Sequence, residues 1–484
     1  MLSLIRLLIL TALIGWFGYH LGPAVIETPH YILAIAVGGL LLIVALTRFD
    51  YALMFLLFII PFSVQANVGS LANYAPVDFG VDDFFIICLI FTWLAYLAKT
   101  RKSPYVDNPL TWPFFAYLFA CVLSFLPMLL MGKGNITLSA LHLVKWYEYV
   151  FLYFVIVRTL ETQQQVQKFA YLMIGSSLLV CAVHLMQIIY AFGFSPEPGE
   201  YLRTAVVTFK SSGILGAFYV LFVAILASFL LQVKTARMKL ILAGICGLMS
   251  LTIFYTYSRA AFLGYIVSII VLGLLRRKMY FFTGLLLISL IPALLSKNVK
   301  ANLEETIHVD RKQIAKMGLY RNYSFHYAAT HTKDFYLDPS SMERLRSWTK
   351  AKKIISDNFI FGIGYWGARL IGAFGFFTVH NTYLTILMET GLPGIGSFVW
   401  LCIAILYGCI RFGKESRNSF NQTLAYGLAA GFSGVLVHSI FGETFEDFRL
   451  CGPLWILCGV VFAAQRIERD SRASMSIQHH ATAA

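Results

Sequence analysis

Apolar runs of about 17–25 residues recur along the chain, separated by short connections that carry its cations, and each run is long enough to cross a ~30 Å hydrocarbon layer as a helix. Reading them in order predicts spans near 4–20, 31–47, 50–66, 82–98, 111–131, 147–165, 169–193, 212–232, 239–256, 260–275, 279–295, 394–411, 421–441 and 450–466. A chain with this pattern cannot hide its apolar surface in one water-soluble core. Hydrophobic residues make up 58% of the 484 positions and charged residues 13%, about half the charged share of a soluble domain. The expected fold is therefore all-α, a polytopic membrane helix bundle of about 12–14 transmembrane helices with one long loop.

The first run, from Leu4 to about Tyr19, has only Arg6 before it and no small-residue cleavage pattern, so it reads as a retained helix. The eight cysteines, Cys88, Cys121, Cys181, Cys246, Cys402, Cys409, Cys451 and Cys458, are scattered through apolar segments. Their spacing suggests neither a metal site nor a disulfide framework. No internal repeat is visible, which removes support from an inverted-repeat transporter.

Charge sets the orientation. With the N-terminus inside, the cytoplasmic connections hold half of the 38 Lys and Arg residues, including Lys99, Arg101 and Lys102, Arg276 to Lys278, and Arg466, Arg469 and Arg472. The short outer loops keep only Lys133, Lys145, Arg203, Lys210, Arg259 and Arg449. Both termini are expected in the cytoplasm and the long loop outside. The +14 net charge then reflects membrane orientation, and no basic-aromatic surface for nucleic acid is seen. The expected division is an N-terminal bundle of about 11 helices over 1–295, an outer loop over 296–381, C-terminal transmembrane helices over 382–466 and a cytoplasmic tail over 467–484.

On that topology the chemically distinctive residues gather on the outer side. The hydrophilic stretch from about Ser296 to Thr378 ends in His380-Asn381-Thr382-Tyr383, where apolar sequence resumes. Asn381 or Thr382 can cap the next helix, and the positive end of its dipole favours a neutral imidazole, the form a general base needs. The other reading of His380 is an interfacial anchor, and spacing does not separate the two. The helix after it is expected to break at Gly391-Leu392-Pro393-Gly394 as a short interfacial or re-entrant segment, with Glu389 near the lipid level. Arg259 follows Ser258 in a very short connection on the cation-poor side, where it either snorkels to head groups or binds an anion.

Ser341 to about Ser356 reads as a helix capped by Ser340 or Ser341, with apolar residues at Leu345, Trp348, Ala351, Ile354 and Ile355. Arg344 and Trp348, four apart, share a face that could rest on the membrane surface; the alternative is an amphipathic loop helix with solvated arginines. The following Phe361-Gly362-Ile363-Gly364-Tyr365-Trp366-Gly367 permits tight turns but lacks the context of a dinucleotide fingerprint. Arg203, Lys210 and Glu443 complete the outer candidates.

At these residues the chain resembles the O-antigen ligase and O-antigen polymerase superfamily of bacterial inner-membrane glycosyltransferases. Three motifs carry the resemblance: Ser258-Arg259-Ala260-Ala261-x-x-Gly264; Arg344-x-x-x-Trp348-x-x-Ala351 with Phe361-Gly362-x-Gly364; and His380-Asn381-x-x-Leu384 with Glu389-x-Gly391-x-x-Gly394. The two alanines after Ser-Arg depart from the aromatic or glycine found there in many relatives.

The resemblance implies a glycan donor on undecaprenyl diphosphate at the periplasmic leaflet and an acceptor that is a glycan or lipid A–core hydroxyl. It implies no nucleotide sugar, cofactor or required metal, and inversion at the anomeric carbon. His380 would be the general base and Arg259 the diphosphate partner, with Arg344 and Arg203 next in line; Lys210, Trp348, Glu389 and Glu443 would line the substrate. Membrane lipids and other polysaccharide-assembly proteins are the expected partners. A polymerase of O-antigen or exopolysaccharide repeat units is favoured over a ligase. A flippase for the same lipid-linked glycan is the reading from another class; it would need polar groups at mid-membrane on several helices.

Overall fold

The computed structural model describes residues 49–62, 65–67, 78–103, 105, 107–132, 135–195, 201–202, 209, 211–278, 284, 339–370 and 378–483. The expected spans at 4–20, 31–47 and 279–295, most of the 296–378 stretch, and both Arg203 and Lys210 lie outside them.

The described chain is helical. It begins with α1 (Phe49–Ile59), α2 (Val81–Thr100), α3 (Thr111–Leu123), α4 (Phe125–Met131), α5 (Ile136–Thr159) and α6 (Gln163–Phe194). It continues with α7 (Ser212–Gln232), α8 (Ala236–Tyr255), α9 (Arg259–Arg276), α10 (Pro339–Asp357), α11 (Gly367–Leu370), α12 (Thr382–Glu415), α13 (Ser419–His438) and α14 (Phe448–Ala483). A three-residue antiparallel pair, β1 (Gln65–Asn67) with β2 (Asp78–Gly80), is the one departure from all-α among the described residues. Eight helices among the described residues are long and apolar enough to cross a membrane. All eight cysteines are buried and none is in a disulfide.

Local chemistry explains where the helices stop, and corrects the span expected at 147–165. That helix instead runs Ile136–Thr159, because Asn135 accepts the Leu138 N–H at its start and Leu160 turns extended at its end. Thr162 and Gln165 then form a reciprocal capping box that starts α6. The helix of the long loop begins at Pro339 rather than after Ser340 or Ser341; proline suits the first helical position, where its missing N–H would be unpaired anyway.

Helix α7 is almost wholly buried and packs against α8, α9 and α13. An all-round apolar helix of this kind belongs in the middle of a bundle. Glycines set the close approaches: a Cβ on Gly264 of α9 would come 2.6 Å from the Gly434 carbonyl of α13, a separation real Cβ atoms do not tolerate. This accounts for the small residues of the first motif as packing residues that seat α9.

Cation-bearing helix ends collect at one end of the bundle. The Arg276 guanidinium donates to Ser228 Oγ at 3.1 Å, Thr423 Oγ1 at 2.6 Å and Gln422 Oε1 at 3.3 Å, joining α9, α7 and α13. Gln163 Nε2 donates to Asn421 Oδ1 at 2.7 Å and Asn421 Nδ2 to Glu468 Oε1 at 2.7 Å, bringing in α6 and α14. Lys102 pairs with Glu161. By chain direction, the first turns of α7, α9 and α12 and the last turn of α13 lie at the opposite end, as the charge pattern requires.

Candidate active site

At that opposite end the turn from Ser439 to Thr444, between α13 and α14, joins the separate parts of the site. Its backbone receives the N-terminus of α12: the Thr382 N–H donates to the Ser439 carbonyl at 2.9 Å and the Gly442 carbonyl at 3.1 Å, and the Thr382 hydroxyl donates to Gly442 at 2.8 Å. The Glu443 carboxylate accepts the Val379 N–H at 3.0 Å. His380, between these two attachments, has φ 54°. Left-handed backbone is uncommon for a residue with a Cβ, and it persists where surroundings fix it on both sides, often at functional sites.

The imidazole of His380 is half-buried, with the Thr378 hydroxyl 3.1 Å from Nδ1. Asn381 caps the following helix, its Oδ1 accepting the Leu384 N–H at 3.0 Å. His380 therefore stands at the positive end of a helix, as its sequence predicts.

The predicted helix break is present: Gly391 has φ 64° and ψ −161° inside α12, separating a first segment, Thr382 to Thr390, from the long apolar remainder. A break leaves carbonyls without helical donors, and the glycine-rich run supplies them. The Ile363 N–H donates to Met388 at 3.0 Å and the Gly364 N–H to Glu389 at 2.9 Å; in return the Leu392 N–H donates to Phe359 and Ile360, both at 3.1 Å. Gly362 and Gly364 have φ 70° and 98°, and a Cβ on Gly362 or Gly391 would strike the opposite backbone. The second and third motifs are thus two sides of one backbone junction.

Helix α10 packs its apolar face on the first segment of α12, where Ala351 and Ile355 meet Met388, Leu384 and Leu387. At these residues that face is covered by the protein itself. Trp348 reaches the 439–444 turn, 6.4 Å from the Phe441 ring, and the first turn of α10 meets α9, with Arg259 Nη2 3.5 Å from Ser341 Oγ.

Arg259 opens α9 after the tight turn Thr256-Tyr257-Ser258, in which Tyr257 has φ 53° and Ser258 Oγ accepts the Ala261 N–H at 3.2 Å. Arg259, Arg344, Trp348, Glu443 and His380 are therefore linked through α10 and one turn. The first turns of α7 and α9 adjoin them, adding positive dipole ends.

Glu389 is 5% exposed and faces a cleft. The cleft is lined by Tyr117, Trp146, Tyr365, Trp366 and Phe398 together with Glu446, and no Lys or Arg lines it. Burial pushes the Tyr365 phenol well above its usual range, with the Cys121 thiol and Glu389 adding to the effect.

His438 is the site residue that sequence reading missed. It ends α13, is 2% exposed and has Nδ1 2.8 Å from Thr444 Oγ1. It also lies against the Gly213 backbone and feels the charge of Arg344. The sequence signal was a histidine inside the last turn of an apolar run, followed by Gly442-Glu443-Thr444.

The O-antigen ligase family model matches residues 244–399. That stretch of the chain is similar to an O-antigen ligase domain. The match supports the resemblance that the motifs carry to the O-antigen ligase and polymerase superfamily. The matched stretch of the O-antigen ligase domain includes α9, α10, the glycine-rich run, His380 and the broken segment of α12, but not the 439–444 turn. No curated protein matches the chain.

Proposed function

We propose that the protein is a glycosyltransferase of the bacterial inner membrane, working at the periplasmic face with both termini in the cytoplasm, and that it joins a glycan carried on undecaprenyl diphosphate to a sugar hydroxyl of another repeat unit. The observation that carries this reading is that the elements bearing His380, Arg259 and Arg344 meet through α10 and one turn, at the bundle end opposite its cation-rich ends.

The chemistry asks for little more. His380, within ~3 Å of the acceptor hydroxyl in a productive pose, takes its proton as the oxygen attacks the anomeric carbon. The bond from that carbon to the diphosphate oxygen breaks, and the diphosphate leaves with the electron pair. Attack opposite the leaving group inverts the carbon. Arg259, with Arg344 beside it, stabilises the charge that grows on the diphosphate; a planar guanidinium suits paired phosphate oxygens.

A second reading, a ligase delivering a finished chain to lipid A–core, is favoured by the description of the matching family model. Deletion of the gene followed by gel analysis of surface and lipid-linked glycan separates the two. Single-repeat products identify a polymerase, and long chains left on the lipid carrier identify a ligase. Intact surface glycan with no lipid-linked build-up refutes both. His380→Ala, restored to the deletion strain, is expected to accumulate in the membrane and transfer nothing.

A further inference from the structure

We propose that His438 is a positioning residue for this reaction, which holds the arginine side of the site and the His380 side in fixed register. The inference rests on the glycosyl-transfer reading and adds to it a residue outside both the motifs and the matched stretch.

The two sides belong to different parts of the fold. Arg259 and Arg344 come from α9 and α10, beside the first turn of α7. His380 comes from the entry to α12. A base and a leaving-group clamp that drift by an ångström lose much of their joint effect.

His438 touches both sides with one rigid ring. Its Nδ1 lies 2.8 Å from the Thr444 hydroxyl. The Thr444 N–H donates to Thr382 Oγ1 at 3.1 Å, and Thr382 begins α12 two residues after His380. On the other side the ring lies against the Gly213 backbone. A Cβ placed on Gly213 would lie 3.5 Å from His438 Nε2, 3.7 Å from Ser258 Oγ and 3.8 Å from Ser211 Oγ. The ring thus lies against the first turn of α7, and the Ser258 cap, directly before Arg259, lies against the same glycine.

The turn is built around this ring. A Cβ on Gly442 would come 3.3 Å from His438 Cε1, so the glycine lets the turn close over the imidazole. The Phe441 N–H donates to the His438 carbonyl at 2.9 Å, and Phe441 is the ring that Trp348 of α10 meets. At 2% exposure His438 is too enclosed to take the acceptor proton itself. Its role is to set distance, not to transfer a proton.

The two ring nitrogens can be tested separately. Asn at 438 keeps a polar atom near the Nδ1 position and so the Thr444 bond; Gln keeps one near Nε2 and so the approach to Gly213. His438→Ala, His438→Asn, His438→Gln and His380→Ala would be purified in nanodiscs and assayed with lipid-linked glycan extracted from the deletion strain, with folded protein quantified by thermal melt. The expected result is that His438→Ala folds, keeps the apparent KM for the lipid-linked donor within about twofold, and loses at least tenfold in kcat. His438→Asn and His438→Gln should each recover part of that loss. A wild-type kcat in His438→Ala, a loss that only follows the folded fraction, or Asn and Gln variants no better than Ala would each overturn the inference. His380→Ala reports on the parent reading: if it keeps wild-type transfer, the base assignment fails, whereas if it is dead and His438→Ala is normal, the positioning role alone fails.

Discussion

The Glu443 carboxylate accepts the backbone N–H of Val379 at 3.0 Å, so a residue in the turn behind α13 fixes the position immediately before His380. The same oxygen accepts the Thr385 hydroxyl at 3.3 Å, one turn into α12. Sequence reading placed Glu443 among substrate contacts. Its bonds make it the outer clamp of the left-handed His380.

Glu443→Ala removes this clamp and is expected to lower transfer at least tenfold while costing about 1.5–3 kcal/mol of stability, the range for a hydrogen bond to a charged group. Glu443→Gln retains an acceptor and should lose less of both. Transfer assays and thermal melts of the two variants check this; equal behaviour of Ala and wild type would remove the clamp.

Gly391→Ala and Gly362→Ala should each destabilise the protein by about 1–3 kcal/mol or more, because both positions have positive φ and a Cβ there meets backbone. Gly396→Ala in the same helix α12 is the control. Its Cβ meets nothing within 4 Å, so removing a helical glycine should be neutral or stabilising by up to about 1 kcal/mol. Melting temperatures in detergent or nanodiscs give the ranking, and a Gly391 variant as stable as the control would contradict the junction.

Arg259→Lys keeps the charge and loses the planar fork. A 10- to 100-fold drop in transfer is expected, corresponding to about 1.4–2.8 kcal/mol of lost transition-state stabilisation, with the melting temperature little changed. Unchanged transfer would mean that Arg259 acts only through its contact with Ser341.

Lys145 of α5 pairs with Asp83 of α2 at 2.9 Å, and the Tyr149 hydroxyl donates to the same carboxylate at 3.1 Å. Their side chains are 17% and 2% exposed. Breaking one partner of a buried pair costs about 3–5 kcal/mol, whereas replacing both can be nearly neutral. Asp83→Asn and Lys145→Met are thus expected to be unstable singly, and their double variant to recover most of the loss. A double-mutant cycle on thermal stability measures this coupling.

Much of the fold and part of the site can be read from residues alone. Asn381 as a cap, the break at Gly391 and the grouping of cationic helix ends follow from local rules, and the structure has all three. The start of the helix at Ile136 and the burial of Glu389 did not follow. The first depends on where a capping asparagine stops the chain, and the second on which neighbours cover a carboxylate that hydropathy places at an interface.

The sequence by itself determined that this chain crosses a membrane many times, which helix ends share a side, and that three motifs in fixed order fall at the other. Those are consequences of apolar transfer and loop charge, summed over neighbouring residues. Only the tertiary structure decided that the glycine-rich run closes the broken helix, that the apolar face of α10 rests on protein, and that the turn after His438 joins both sides of the site. These contacts are made by backbone groups and single polar side chains distant in sequence, as Ile363 with Met388 and Val379 with Glu443. Every residue carries the same N–H and carbonyl, so apart from a few glycines such contacts leave no pattern in the sequence.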